Sequence, residues 1–311
     1  MAEIKHYVFF DFEMLCSNTG MSFTDMEAIR LGAVKYDLNT HSLTSFDQYI
    51  KPKNSAPLSR FCQNLTGITD DDLSLAKTFP DVLEEFLTWI GGVKKTQFFS
   101  WSKSDLSRLK LDSEFHATPE ATIRKIEQRY VDLQAVMAKR VTKSQFSVEN
   151  ALKLYGLEFY GEPHNPMYDA YNTFRIYMSF NTMPIQSDLI MVKQFISDEI
   201  ESYDPIAVNR LVKHHLKQDI ESISSQLTEI SRMRDAYKFL KKSSHLVEKF
   251  DNVVINRSGI FSPELTSDVQ LFQQLFNNLV DSYKEHYRHN SKVIIFDDHT
   301  INKLIHLSHA I

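Results

Sequence analysis

The sequence predicts an α/β fold, in which helices flank a largely mixed β-sheet, followed by a mainly α-helical C-terminal region. Three observations support this prediction. Short runs of β-favouring residues open the chain, helix-spaced segments alternate with further short runs from residue 57 onward, and long amphipathic segments dominate after residue 184. With 311 residues, 42% of them hydrophobic, the chain is long enough to form one large or two ordinary domains with packed cores.

The predicted strands follow from apolar runs with strand periodicity and from the turn residues that bound them. The first, HYVFFD, ends at Asp11 and precedes a loop, and the next two form an antiparallel meander with it. A fourth strand follows the Gly91-Gly92 break. The predicted strands are residues 6–11, 28–36, 44–50, 97–101 and, as a short fifth, 130–133.

The predicted helices of this part have helical spacing of apolar residues, in two cases with a Pro near the start, where its missing N–H costs nothing. They cover residues 57–65, 80–90, a start at 105–111, and 148–155. The best specified helix start is at Asn165 and Pro166, a good N-cap followed by a good first helical residue. This helix should cover residues 166–179, with Asp169 in its first turn and His164 just before the cap.

The character of the chain changes near residue 184, and we expect domains at residues 1–184 and 185–311. Asp204-Pro205 predicts the start of one long amphipathic helix that extends to Lys241, because apolar residues follow at alternating spacings of four and three. This stripe comprises Leu216, Ile220, Ile223, Leu227 and Ile230. A helix from Ser262, a short strand at residues 292–296 and a last helix at 301–307 complete the region. The stripe suits a partner helix, so a homo-oligomer through the C-terminal helices is one expectation. A helical domain that only packs on the first domain is a second expectation, and a region that guides the substrate is a third.

Composition and charge exclude some classes of protein. The formal net charge of -5 argues against a protein that coats duplex nucleic acid through a broad basic face. Residues 185–311 contain 15 Lys and Arg against 17 Asp and Glu, which makes them a poor nucleic-acid clamp on charge alone. The start lacks the pattern of a signal peptide, and no run approaches the roughly 18 apolar residues of a membrane span. We therefore expect a soluble, cytoplasmic protein with no membrane partner.

Four acidic residues and one histidine form the candidate site: Asp11, Glu13, Asp105, His164 and Asp169. Each of them alone has a simpler interpretation as a solvated loop carboxylate or a surface histidine. Their joint pattern is more informative. A buried first strand would carry Asp11 to its C-terminal edge, and a buried carboxylate needs a cation or a proton.

The residue types point to metal-assisted chemistry. Asp11 and Glu13, two apart on a strand, point to one face and can share a metal ion, to which Asp105 and Asp169 would add oxygen ligands. Such ligands suit Mg²⁺ or Mn²⁺ rather than zinc. Two ions about 4 Å apart can stabilise the attacking and the leaving oxygen of a phosphodiester displacement. A neutral His164 could then accept the proton of the attacking water.

Four stretches of the chain resemble the DEDDh, or DnaQ-like, exonuclease superfamily. They are FFDFEMLC at residues 9–16, LTGIT at 65–69, Trp101 with Asp105, and HNPMYDAYNTFRI at 164–176. The resemblance covers roughly residues 5–182 and is greatest to the branch of animal histone-mRNA 3′ exonucleases and bacterial sporulation-inhibitor proteins. His164 followed five positions later by Asp169 also favours this subclass over relatives that place a Tyr four residues before the final Asp.

This resemblance implies an RNase H-like fold and a two-metal hydrolase that releases 5′-mononucleotides from the 3′ ends of single-stranded nucleic acid. Asp11 would bridge both ions, and His164 would be the general base. The residues implied to contact the terminal nucleotide are Phe12, Met14, Leu15, Thr66 and Ile68. Trp101 could stack on a base, or it could be buried under the fourth strand.

Two alternatives to an exoribonuclease stay open. The preference for RNA rests on the family branch alone, so a DNA exonuclease of the proofreading or repair type is the nearer alternative. The other is a regulatory binding module built on an inactive nuclease fold. The presence of all five site residues argues against this module, because a decayed site would be expected to lose at least one.

Overall fold

The computed structural model describes residues 3–200, 204–254 and 256–311. The chain divides into two compact units, one formed by Met1–Ala138 and Ser144–Thr182, the other by Lys139–Lys143 and Met183–Ile311. Among the described residues, none of the helices combines the length and the apolar character that a bilayer crossing requires.

The first unit is built on a mixed sheet that has, within the described residues, six strands in the order β4-β3-β2-β1-β5-β6. The strands β1, β2 and β3 form an antiparallel meander, whereas β5 runs parallel to β1, β6 parallel to β5, and β4 parallel to β3. Their bounds are β1 His6–Met14, β2 Ala28–Asp37, β3 Leu43–Lys51, β4 Lys77–Thr78, β5 Thr96–Ser100 and β6 Tyr130–Asp132. The predicted mixed sheet is confirmed.

The helices of this unit cover the sheet, and several of them begin at a residue whose side chain caps the helix. They are α1 Arg60–Thr66, α2 Asp70–Ser74, α3 Phe79–Ile90, α4 Lys103–Phe115, α5 Glu120–Glu127, α6 Leu133–Met137, α7 Val148–Leu154 and α8 Pro166–Thr182. Helix α1 begins three residues later than predicted, because the Ser59 hydroxyl caps it by accepting from the backbone N–H of Cys62. At α8 the Asn165 side chain accepts from the N–H of Met167 at 3.2 Å, which confirms the predicted cap.

The central strand β1 separates two cores, because successive side chains point to opposite faces of the sheet. Val8, Phe10 and Phe12 lie in the larger core, together with residues of α3, α4 and α5. Phe9 lies on the other face, in a cluster with Ala170 and further residues of α8. The same alternation carries Asp11 and Glu13 to the α8 face.

The second unit is mainly helical. Its helices are α9 Pro184–Phe195, α10 Pro205–Leu227, α11 Met233–Val253, α12 Pro263–Arg288 and α13 Asp298–Ala310. The single long helix predicted up to Lys241 is wrong, because turns after Gln226 and Leu227 end α10. The interruption leaves α10 and α11 as two separate helices, each of which buries its own apolar stripe.

Two further predictions for this region need correction. Residues 292–296 form no strand, since only an isolated bridge between Arg232 and Val293 is present there among the described residues. The apolar stripe predicted to bind a partner helix is buried inside the helical unit. Four of its residues are at most 2% exposed: Leu216, Ile220, Ile223 and Leu227. That stripe is therefore not available to a second copy of the chain, and self-association through other helix faces stays a prediction.

Candidate active site

Three of the predicted carboxylates meet at the end of β1. Asp11 and Glu13 extend from the strand, and Asp169 from the first turn of α8. One carboxylate oxygen from each lies within 4.8 Å of the others, and all three side chains are partly buried. The structure thus brings together residues that are distant in the sequence.

Asp105 joins this cluster from the opposite side of β1. It lies in the first turn of α4, directly after β5, and is 3% exposed. Its Oδ1 accepts a hydrogen bond from the backbone N–H of Phe12 at 3.2 Å. It lies outside the set of oxygens within 4.8 Å of one another, yet its charge acts on both Asp11 and Glu13.

Burial raises the pKa of each of these carboxyl groups, and repulsion by neighbouring carboxylates adds to the shift at Asp11, Glu13 and Asp105. For Asp11 burial is the largest cause, followed by the charges of Asp105, Asp169 and Glu13, and its pKa lies well above the usual value. Burial, with Asp169 and Asp105 adding repulsion and Arg30 opposing it, raises the pKa of Glu13 to about 8. Burial raises the pKa of Asp105 to about 7, although backbone hydrogen bonds oppose the shift. It raises the pKa of Asp169 to about 6, against a hydrogen bond from the backbone of His164.

Such a cluster cannot hold all its negative charge in a low dielectric unless cations lie beside it. The donor set consists of carboxylate oxygens, which are the ligands that hard divalent cations prefer. The residues therefore fit a divalent-metal site at this end of the sheet.

Gly32 on β2 allows α8 to begin directly against the sheet. It pairs with Asp11 across the two strands, so both residues lie on the face that α8 covers. A Cβ atom at this position would lie 2.0 Å from the Met167 nitrogen and 2.2 Å from the Pro166 carbonyl carbon. Because Gly32 has no side chain, α8 can begin close to β2, and this places Asp169 next to Asp11. This role of Gly32 was not predicted from the sequence, although a glycine inside a predicted strand can signal a close backbone approach.

His164 lies just before α8, with its side chain exposed. Its φ of 62° is in the left-handed region, which is uncommon for a residue other than glycine. Its backbone interacts with the Asp169 carboxylate. This turn therefore places the backbone of His164 next to Asp169 and leaves the imidazole accessible.

A buried ion pair on α4 holds the connection between β1 and β2, a feature that was not predicted from the sequence. Arg108 is 1% exposed and donates to the carbonyl oxygens of Phe23 and Met26 at 2.7 and 2.5 Å. It also pairs at 2.7 Å with Asp112, whose other oxygen accepts from the Ala28 N–H at 2.9 Å. Because Asp105 lies one turn earlier on the same helix, α4 fixes both β1 and the connection that follows Glu13.

The residues predicted to contact the nucleotide have their side chains in packed surroundings. Phe12 lies in the larger core, on the face opposite to Asp11, and Met14 packs against that core. Leu15 and Ile68 belong to a second cluster, and the Thr66 hydroxyl donates to the Cys62 carbonyl at 2.8 Å. The described contacts thus do not bring these side chains into the carboxylate cluster, and their nucleotide contacts stay predictions.

Trp101 is 8% exposed, and its indole N–H donates to the carbonyl oxygen of Phe146 at 2.9 Å. Of the two interpretations that the sequence left open, this placement favours the buried tryptophan. Base stacking by Trp101 stays a prediction.

Known proteins are similar in sequence and in fold to the part of the chain that contains the carboxylate cluster. The rat 3′-5′ exoribonuclease 1 is 33% identical over 184 residues, which cover 53% of this chain and 50% of the relative. The chain therefore spans about half the length of this curated relative. The crystal structure of the nuclease domain of 3′hExo, a DEDDh family member, bound to rAMP, matches with a TM-score of 0.52 at 24% identity. The match covers 58% of this chain and 95% of that domain.

A second structure, which shows 3′-end-specific recognition of the histone mRNA stem-loop by a 3′-exonuclease, matches with a TM-score of 0.51 at 22% identity. It covers 59% of this chain and 84% of that protein. Both likenesses show the RNase H-like nuclease fold. Residues 8–177, which span β1 to α8 and contain all five predicted site residues, match the family RNase T, described as exonuclease. The chain therefore belongs to the exonuclease family RNase T.

Proposed function

We propose that this chain is a metal-dependent 3′-to-5′ exonuclease that releases 5′-mononucleotides from single-stranded nucleic acid, with RNA preferred over DNA. The observation that carries the proposal is the convergence of Asp11, Glu13 and Asp169 within 4.8 Å, with Asp105 buried beside them. In this proposal residues 1–184 are the catalytic domain, and residues 185–311 are a helical accessory domain. The cytoplasmic location stays a prediction.

The carboxylates of Asp11, Glu13, Asp105 and Asp169 would hold two divalent cations, Mg²⁺ or Mn²⁺. When bound, these ions would supply charge stabilisation for a phosphodiester displacement and lower the pKa of a bound water. The fit rests on the raised pKa values of the four groups, since a nearby cation offsets the cost of ionising them together.

The chain itself would position the reacting groups. The contact of α8 with Gly32 sets Asp169 against Asp11, and the bond between the Phe12 N–H and Asp105 fixes the end of β1. The exposed imidazole of His164 would accept the proton of the attacking water. A well-placed proton acceptor of this kind contributes about 10²- to 10⁴-fold in rate.

The names and titles of the related proteins support the preference for RNA. The rat relative is called an exoribonuclease, one similar structure contains rAMP, and the other shows recognition of a histone mRNA stem-loop. Since the chain spans about half of the rat protein, this preference needs a direct comparison of substrates.

The test is digestion of 5′-labelled single-stranded RNA and of DNA of the same base sequence, with Mg²⁺, with Mn²⁺ and with EDTA. We expect products that shorten stepwise from the 3′ end, faster for RNA, and no digestion in EDTA. Asp11→Asn should abolish the release of nucleotides, because it removes one charge from the centre of the cluster. The matched control is Asp251→Asn, which makes the same change at an exposed residue of α11.

Three results would contradict the proposal: digestion that persists in EDTA, an active Asp11→Asn variant, or no release from any single strand. If DNA were digested faster than RNA, the proposed chemistry would stand and DNA would replace RNA as the preferred substrate. Thermal unfolding of both variants would show whether a loss of activity reflects a loss of fold.

A further inference from the structure

Three tyrosines form a row on the outside of the helical unit. Tyr283 and Tyr287 lie one turn apart on α12, with ring centroids 6.2 Å apart and ring planes 23° from parallel. Tyr237 of α11 continues the row, at 6.2 Å from Tyr283 and with an angle of 37° between the rings. The outer rings are well exposed, Tyr237 at 53% and Tyr287 at 69%. Large aromatic side chains usually bury more of their area, so this row offers flat apolar faces to a ligand.

The segments that carry the row are strongly basic. Residues 231–242 and 281–292 contain eight Lys and Arg against three Asp and Glu, whereas the rest of residues 185–311 contains seven against fourteen. The net charge of -2 for the whole region therefore conceals a local charge of +5. All eight cationic side chains are exposed: Arg232, Arg234, Lys238, Lys241, Lys242, Lys284, Arg288 and Lys292. We call the three tyrosines and these eight cations the tyrosine surface.

Most of this positive charge has no acidic partner in the protein. Within the described part of the chain, Lys284 alone of the eight takes part in an ion pair, with Asp281 at 3.0 Å. Arg234, Lys238 and Lys241 lie three, one and four positions from Tyr237, and spacings of three and four place side chains on one helix face. Arg234 and Lys241 therefore share a helix face with Tyr237, and Lys284, three positions before Tyr287, shares a face with that ring.

We propose that the tyrosine surface binds single-stranded nucleic acid, with bases stacked on Tyr237 and Tyr287 and with phosphates beside the surrounding cations. A basic surface interleaved with exposed aromatic rings matches such strands, because every base has a face for stacking and every linkage carries a negative charge. A protein partner would use the rings but would not require eight unpaired or weakly paired cations. The inference rests on the proposed function for the class of ligand only, and it concerns binding rather than hydrolysis.

The test is fluorescence anisotropy of the full chain with a labelled oligouridylate of about 20 nucleotides, longer than common single-strand sites of roughly 4 to 16 nucleotides. EDTA would prevent hydrolysis during the measurement. The double variant Tyr237→Ala/Tyr287→Ala should weaken binding by roughly 5- to 150-fold for each base that loses its stacking partner. The matched double variant with Phe at both positions keeps the rings and should bind like the wild type.

The charges can be tested separately through the dependence of binding on salt. Arg288→Gln should reduce the slope of the logarithm of the binding constant against the logarithm of salt concentration by about one, if Arg288 neutralises one phosphate. The control is Lys303→Gln, which removes an exposed lysine of α13 outside the surface and should leave the slope unchanged.

The inference is overturned if the double alanine variant binds like the wild type, or if the phenylalanine variant loses as much as the alanine variant. Because the outer rings are exposed, the alanine variant should keep the wild-type unfolding temperature. Release of nucleotides from the same proteins with divalent cations is a separate measurement. An inactive wild type would reject the proposed function, whereas unchanged binding by the alanine variant would reject the tyrosine surface.

Discussion

Replacing Gly32 with alanine should displace the start of α8 and separate Asp169 from Asp11. The new Cβ would lie 2.0 Å from the backbone nitrogen of Met167, and ordinary van der Waals contact begins at 3.4 Å. The neighbouring atoms belong to backbone, so no flexible side chain can give way. The helix start must therefore move by roughly 1 Å or more, and a displacement of that size at a catalytic group typically costs about 10²-fold in rate.

The assay is the rate of nucleotide release from labelled single-stranded RNA with a saturating divalent cation, measured beside thermal unfolding. Overpacking of this kind costs about 1–3 kcal/mol in stability. The control is Gly91→Ala at the C-cap of α3, where φ is 79° and no atom lies within 4 Å of the new Cβ. That variant should lose about 1–2 kcal/mol through left-handed strain. Similar stability losses with a rate loss only in Gly32→Ala would support the reasoning, and wild-type rates in both variants would refute it.

Three further predictions concern the cluster, the α4 ion pair and the proton acceptor. In EDTA, the unfolding temperature should fall as the pH rises from about 4 to about 8, because three carboxyl groups of the cluster have a higher pKa in the folded than in the unfolded protein. These groups are Asp169 at about 6, Asp105 at about 7 and Glu13 at about 8. Their contribution to stability is complete at low pH and lost as they ionise, so Mg²⁺ should flatten the profile, and a rising temperature would contradict it. Asp112→Ala should lower the free energy of unfolding by about 3–5 kcal/mol in denaturant titrations, because Arg108 stays buried without its partner. Glu149→Ala, which breaks an exposed pair, should cost less than about 1 kcal/mol, and equal losses would count against the buried pair. His164→Ala should lower the rate by about 10²- to 10⁴-fold at an unchanged unfolding temperature, whereas a matching loss of stability would indicate a structural role.

The local elements of the site could be predicted because their signals lie within a few residues. An apolar run ending in Asp11 predicted a buried strand, and β1 contains that run but continues three residues further, to Met14. Asn165 and Pro166 predicted the start of α8 through capping, which depends only on neighbouring backbone groups. The periodicity after residue 204 correctly predicted amphipathic helices, but a helical stripe does not reveal where the chain reverses. For this reason α10 and α11 were predicted as one helix.

Contacts between distant segments were beyond prediction from one sequence. The sequence around Gly32 is that of an ordinary glycine in a strand, and it does not indicate that α8 lies against it. The sequence around Arg108 is equally compatible with a surface cation, and it does not indicate that the β1–β2 connection binds it. The stripe from Leu216 to Leu227 suited a second copy of the chain as well as it suited its own unit. Burial depends on which elements pack together, and spacing along one helix does not contain that information.

The sequence by itself determined the mixed sheet, the helical second region and the five candidate catalytic residues, because strand alternation, helix capping and residue chemistry are local properties. Only the tertiary structure decided that Asp11, Glu13 and Asp169 lie within 4.8 Å of one another. It also decided that Tyr237 and Tyr283, which lie in two basic segments distant in the chain, come together in one row of tyrosines. Counted along the chain these charges cancel against distant acidic residues, whereas in the folded unit a ligand meets only the charges on the face that it contacts.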